Sequence, residues 1–204
     1  MAVRLTQKER RERTREQLIG TGDRLFTAHG FHATSMDQIA AEAGYTKGAI
    51  YSNFESKEDL FFAVYEQRTA RRLQELERTF EELAPIDAVE RILTAGMERR
   101  RQDDGWIAVF FEFWAHVLRN PELRERFAVT HAAMIEPVIP AVERTVAERG
   151  LKPAVKLRRF TAAMYAMQLG LQLERLTQPD VVDEELSVAM SRLVLNSLDG
   201  GTAG

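Results

Sequence analysis

Cysteine is absent from the 204 residues. That excludes disulfides, thiolate metal sites and cysteine nucleophiles, and it agrees with a reducing compartment. No uninterrupted apolar run approaches the roughly 20 residues that a bilayer-spanning helix needs, so no membrane partner is expected. The first fifteen residues, MAVRLTQKERRERTR, are basic with no apolar stretch behind them. No secretory signal is expected, and a cytoplasmic protein is. Catalytic signatures are missing as well: there is no Gly-x-Ser-x-Gly, Gly-x-Gly-x-x-Gly, His-Glu-x-x-His or P-loop. His29 and His32 straddle a glycine and make a poor metal pair. Neither an enzyme, nor a metal site, nor a cofactor is expected. Alternation of β-branched residues is scarce, which argues against strands.

What is present is a chain with 45% hydrophobic and 29% charged residues, long enough to bury a real core in one or two domains. The net charge of −3 hides an asymmetry. Residues 1–57 carry nine Lys/Arg against seven Asp/Glu, and the remainder nineteen against twenty-four. Arg4, Lys8, Arg10, Arg11, Arg13 and Arg15 crowd the start. A basic end on an acidic protein suits a polyanion, although such a run also suits a solvated helix face.

Start and stop signals divide nearly the whole chain into helices. Thr6-x-x-Glu9 is a capping box, and the helix it opens ends at His29-Gly30. Thr34-x-x-Asp37 opens a short second helix that stops at Gly44. Thr46 caps a third that runs to about Phe54. Ser56-x-x-Asp59 opens a long fourth helix through Leu60, Phe61, Val64, Leu73, Leu76 and Phe80, which stops before Pro85. Further helices are predicted over 87–101 and 105–119. Asn120-Pro121 restarts the chain, with Asn as cap and Pro at the first helical position. That helix should run to Gly150, kinked at Pro137 and Pro140. Another starts at Pro153 and ends near Gln178-Pro179, and Asp183 caps a last one reaching Leu198. The tail 200–204 is expected to be disordered.

Residues 34–54, TSMDQIAAEAGYTKGAIYSNF, carry the functional signal. A helix-turn-helix needs a small residue where its helices approach, a positive φ in the turn and an apolar residue on the second helix facing the first. Ala40, Gly44 and Ile50 have those properties at the right offsets, with Ile39 and Ala43 completing the inner face. Ala and Gly also occur in an ordinary helical hairpin within a core. The outward face of the third helix distinguishes the two readings. Thr46, Lys47, Gly48, Tyr51, Ser52 and Asn53 are small, polar or basic, and none is acidic. A helix that enters a major groove should look like this.

The stretch from Phe26 to Phe61 resembles the DNA-binding domain of the tetracycline-repressor (TetR) family. The elements that match are Gly30-Phe31, Thr34-Ser35, Ile39-Ala40, Ala43-Gly44, Thr46-Lys47-Gly48, Tyr51, Phe54, Lys57 and Leu60. Tyr45 stands where the family more often has Val or Ile. The nine helices read along the chain, with no strand, make an all-α fold, and the resemblance agrees with it. It would have an N-terminal three-helix helix-turn-helix domain (1–57) joined by a long helix to an α-helical ligand-binding and dimerisation domain (58–199). It also implies roles. Thr34 and Ser35, at a helix N-terminus, would hold a phosphate. Lys47 and Tyr45 would read base edges, with Thr46 and Gly48 allowing close approach and Asn53 on the same face. Tyr51 and Lys57 would bind backbone phosphates. The N-terminal arginines would add salt-dependent affinity or enter a minor groove.

Helix 105–119 is apolar on most sides and must be buried. Its aromatics suit either a plain core or an effector cavity. The candidate lining residues are Trp106, Phe110, Phe113, Trp114, His116, His131, Met134, Tyr165 and Gln168, and the scarcity of charge among them favours an apolar or aromatic small molecule. His116 and His131 suit ordinary half-buried histidines equally well. The last two helices, amphipathic through Leu157, Phe160, Met164, Met167, Leu171, Leu186, Met190, Leu193 and Val194, would by resemblance pair with those of a second subunit. The alternative is that they pack only within one chain. The expected partners are thus double-stranded, two-fold symmetric operator DNA, a small-molecule effector and a second copy of the chain. The expected mechanism is a ligand-driven population shift between two spacings of the reading heads, with helix 105–119 as the coupling element. Repression is the family's common habit. The competing reading is a helical ligand-binding or adaptor protein without DNA binding.

Overall fold

The computed structural model describes residues 6–82, 104–148, 150, 153 and 155–196. The predicted helix over 87–101, the tail 200–204 and Arg4 lie outside them. Among the described residues the chain is helical and contains no strand. The order is α1 (Gln7–His29), α2 (Met36–Glu42), α3 (Lys47–Tyr51), α4 (Lys57–Glu82), α5 (Asp104–Leu118), α6 (Pro121–Ala132), a 3-10 turn (Glu136–Val138), α7 (Ile139–Glu148), α8 (Leu157–Thr177) and α9 (Glu184–Asn196). No helix among them is long and apolar enough to cross a membrane.

The helix ends follow the local chemistry. Thr6 and Glu9 form the reciprocal capping box on α1, and the bonds it receives hold the Glu9 carboxyl below its usual range. Ser56 Oγ accepts from the Asp59 amide at the start of α4, and the Asp59 carboxylate takes the Glu55 N–H. Asn120 Oδ1 accepts from the amides of Glu122 and Leu123 behind Pro121. Asp183 Oδ1 accepts from Leu186. Two boundaries differ from the sequence reading. The stretch 121–150 is not one kinked helix, because Pro137 and Pro140 each lack an N–H and collide with the carbonyl four residues back. The chain breaks into α6, the 3-10 turn and α7 instead. And α8 begins at Leu157, after Lys156, rather than at Pro153.

Two compact units result. The first comprises the described residues up to Arg68 together with Ala108–Arg124. The second comprises those from Thr69 to Ile107 and from Glu125 onward. The first unit takes in the start of α4 and most of α5. Its core is aromatic: Phe26, Phe31, Phe54, Phe61, Phe62 and Phe113 are fully buried with Leu18, Ile39, Ile50, Leu60 and Val64. Phe113 stacks on Phe61 at 4.1 Å and meets Phe31 and Phe62 edge-on, arrangements that add to the area buried. The Arg68 guanidinium pairs with Asp23 at 2.7 Å and ties α4 to α1. In the second unit, Val142, Val146, Phe160 and Met164 cluster with Val138, Leu157, Met167 and Val194. Arg175 pairs with Asp104, and Arg158 with Glu136.

Candidate nucleic-acid interface

The site is built on the α2–α3 hairpin. Ser35, not Thr34, caps α2, its hydroxyl accepting from the Gln38 amide. At the far end Gly44 has φ +76°, a backbone that a side chain would strain. The Gly44 amide donates to Ala41 and the Tyr45 amide to Ala40, at 3.1 and 2.9 Å. This paired closure satisfies the last carbonyls of α2 and turns the chain. Thr46 caps α3 by accepting from Ala49. Ile39, Ala40 and Ile50 are buried at the hairpin's inner face, as their spacing predicts.

The other side of α3 is open. Thr46, Lys47, Gly48, Tyr51 and Ser52 are exposed, Tyr51 by 53% despite its size. A Cβ on Gly48 would meet nothing nearer than Thr46 Oγ1 at 3.8 Å. The fold itself therefore does not need a glycine there, although glycine inside a helix costs roughly 0.5–1 kcal/mol relative to alanine. The bareness of that face is useful only to something that approaches from outside. Basic side chains border it: Arg11 donates to the Ser52 carbonyl at 3.2 Å, and the Arg15 guanidinium lies over the Phe54 ring at 4.8 Å. Part of the N-terminal basic run is thus held against the end of α3. Lys47 pairs with Asp37 of α2, and Tyr45 Oη donates to Gln17 of α1.

Three predicted contacts have other employment. Thr34 is 1% exposed, and its hydroxyl donates inward to the carbonyls of Gly30 and Leu25 at 2.8 and 3.3 Å. It sits one residue too early to cap α2. The Asn53 amide donates to the Ala49 carbonyl at 2.8 Å and closes α3. Lys57 donates to the carbonyls of Phe31, His32 and Thr34 at 2.8, 3.3 and 3.0 Å, with its ammonium 4.5 Å from the Phe31 ring centre. Partial burial pulls its pKa below the usual lysine range, opposed by Glu58 and Glu112. Lys57 is a clamp on the α1–α2 turn.

The same turn is also gripped by a residue the sequence reading missed. Glu112 of α5 accepts from the amides of Phe31 and His32, both at 2.8 Å. Gly30, at φ +87°, makes room for it: a Cβ there would come within 2.7 Å of a Glu112 carboxylate oxygen. One turn further along α5, His116 Nε2 lies 3.1 Å from Glu58. The available signal was a single carboxylate inside an otherwise apolar run, since buried acids are rarely unpaired.

The nine predicted effector residues are divided between the two units. In the first, Phe113 belongs to the aromatic core, His116 faces Glu58, and Phe110 is buried against Tyr65 and Trp114. In the second, Trp106 is buried and Met134 half-buried. Gln168 Nε2 donates to Ser191 at 2.6 Å between α8 and α9. His131 stacks on Phe127 and meets the Tyr165 ring edge-on. Burial pushes its pKa below the usual 6.5. Among the described residues no group of His, Asp and Glu could hold a metal ion.

Two family profiles match. "Bacterial regulatory proteins, tetR family" covers residues 18–64, and "BetI-type transcriptional repressor, C-terminal" covers residues 85–200, more than half the chain. The chain belongs to the TetR family. Among curated TetR-like proteins it is similar to the HTH-type transcriptional regulator AcrR of Shigella flexneri, with 38% identity over 42% of this chain and 39% of that one. The chain spans well under two thirds of the length of the first curated relatives it matches. Solved structures share this fold. A putative transcriptional regulator from Pseudomonas aeruginosa PAO1 has a TM-score of 0.77 at 19% identity, over 97% of this chain and 94% of that one. The transcriptional regulator FadR from Bacillus subtilis, in complex with stearoyl-CoA, has a TM-score of 0.71 at 18% identity, over 92% and 98%.

Proposed function

We propose that this TetR-family chain is a ligand-responsive repressor that binds a palindromic operator as a dimer and is released by a small, mostly apolar effector. The observation that carries the DNA-binding part is the exposed, acid-free face of α3, with a bare Gly48 at its centre. Ser35, Tyr45, Thr46, Lys47, Gly48 and Tyr51 form the reading surface, and Arg11 and Arg15 supply charge beside it. Tyr51 and the amide end of α2 serve phosphates, while Lys47 and Tyr45 serve base edges.

Dimerisation is supported by the outward faces of the last two helices. Ala163, Ala166, Gly170 and Leu173 of α8 are exposed in one line, as are Ala189 and Leu193 of α9. A Cβ on Gly170 would meet nothing within 4 Å. Small residues on one face let a partner helix come close, and two exposed leucines would be covered by it. The effector reading rests on the half-buried rings of His131 and Tyr165 beside the buried Phe127, with Met134 nearby in sequence, and on the acyl-CoA bound by the B. subtilis FadR. Coupling runs through α5, which is continuous from one unit into the other and whose Glu112 grips the α1–α2 turn. A ligand that favours one position of α5 shifts the reading heads by its differential affinity.

The test is selection of duplex fragments from genomic DNA by the purified full-length chain, followed by affinity measurements across a salt series. Enrichment of a two-fold symmetric sequence, steep salt dependence and loss of binding in Tyr51→Ala are expected. Failure to enrich any sequence would favour the reading without DNA binding.

A further inference from the structure

Lys47 is exposed on α3, yet its ammonium does not face solvent alone; it pairs with Asp37 of α2. Asp37 is an unusual partner. One of its carboxylate oxygens meets Lys47, while the other is shut away from solvent with no hydrogen-bond partner. A half-sequestered carboxylate depends on its counter-ion more than a solvated one does. Among the groups near it, Ser35 Oγ is engaged with the Gln38 amide, so Lys47 is the cation on which Asp37 relies. The reciprocal effect appears on the lysine, whose pKa is raised chiefly by its bond to Asp37.

We propose that Asp37 is a specificity-determining residue that acts through Lys47: it holds the ammonium in place and withholds it from phosphates at random sequence. The inference rests on the DNA-binding reading above. A lysine is a point charge on a flexible four-carbon stem and pairs readily with any phosphate in reach. Such contacts strengthen binding to all sequences alike. With Asp37 present, a phosphate offers Lys47 only an exchange of one anion for another and leaves a poorly solvated carboxylate behind. A guanine edge fixed opposite Lys47 by the register of the remaining contacts offers an acceptor without that repulsion, and two acceptors at once. The pair therefore lowers affinity for random DNA more than affinity for the operator. Tyr45, held by Gln17, is a second base reader kept in position before DNA arrives.

The experiment uses the full-length chain, the duplex it selects from a random library, and a scrambled duplex of the same composition. Affinities are measured by fluorescence anisotropy over a salt series for wild type, Asp37→Asn, Lys47→Met and the double variant. Circular dichroism melts check that each folds. In Asp37→Asn the scrambled duplex should bind about fivefold more tightly, with a salt slope steeper by about one ion. Operator affinity should change by less than about twofold, so the specificity ratio falls about fivefold. In the Lys47→Met background, Asp37→Asn should leave the ratio where it was. A rise of equal size on both duplexes, or a ratio change that persists without Lys47, overturns the proposal, because Asp37 would then be acting only as a negative charge near DNA. If wild type selects no duplex at all, the DNA-binding reading has failed. If it selects one and the ratio stays fixed in Asp37→Asn, only this inference has failed.

Discussion

Single residues show most directly which parts of the α2–α3 hairpin serve the fold and which serve a partner. A Cβ on Gly48 would make no contact closer than an ordinary one, with Thr46 Oγ1 at 3.8 Å. Gly48→Ala should therefore raise stability by about 0.5–1 kcal/mol in urea unfolding, while weakening operator binding by about tenfold through the methyl group placed at the groove. A variant that is stabilised and binds as before would show that α3 does not enter DNA by this face. Lys57 gives the opposite expectation. Its ammonium serves three carbonyls, so Lys57→Met should cost about 1–3 kcal/mol of folding free energy. The salt slope of DNA binding should stay unchanged. A slope shallower by about one ion would restore the phosphate contact that its sequence position suggests.

Elements were legible in the sequence where their ends are chemical. Thr6, Gly30, Gly44, Thr46, Asn120 and Asp183 mark boundaries because each satisfies a particular orphan group. The inner face of the hairpin was legible too, because Ala40, Gly44 and Ile50 answer to local geometry. What could not be read was the destination of side chains whose partners are distant in sequence. Lys57 reaches back 23 to 26 residues and Glu112 reaches 80 or 81; no local pattern encodes either. Thr34 misled for a smaller reason, since Thr and Ser adjoin and only one can cap. The aromatic wealth of α5 read equally as core or cavity, and Phe113 turned out to be core. α5 itself carries a prediction. With Glu112→Gln, one side-chain oxygen remains where the carboxylate presented two, so one of the two amides loses its acceptor. Hydrogen exchange should quicken at Phe31 or His32 and leave the Ile39 amide, inside α2, unchanged. Operator affinity should fall by several-fold if this turn sets the position of α2. Faster exchange with unaltered affinity would make Glu112 a purely structural clamp.

Two properties belong to the whole molecule. The first is its pH response. His131 has its pKa depressed by burial, so the unfolded chain binds its proton more readily than the folded one. Stability from this residue is present above the unfolded value near 6.5 and is lost as pH falls through the lower, folded value. His131→Phe should flatten that part of the stability curve; an unchanged curve would show that the imidazole is already solvated. The second is the proposed assembly into a dimer. An operator with two half-sites about 34–36 Å apart can be read only by two linked heads. Linkage raises the effective concentration of the second head, and its loss removes that gain without touching a single DNA contact. Gly170→Arg tests this cleanly, because the arginine would project from α8 into open space and leave the monomer's own packing alone. Sedimentation should show a monomer with wild-type helicity. Operator affinity should fall by about 100-fold or more, whereas binding to scrambled DNA should persist with a salt slope about half as steep. If Gly170→Arg remains a dimer, the pairing surface lies elsewhere; if it is monomeric and still binds the operator as wild type does, each head reads DNA alone and the two-fold mechanism is wrong.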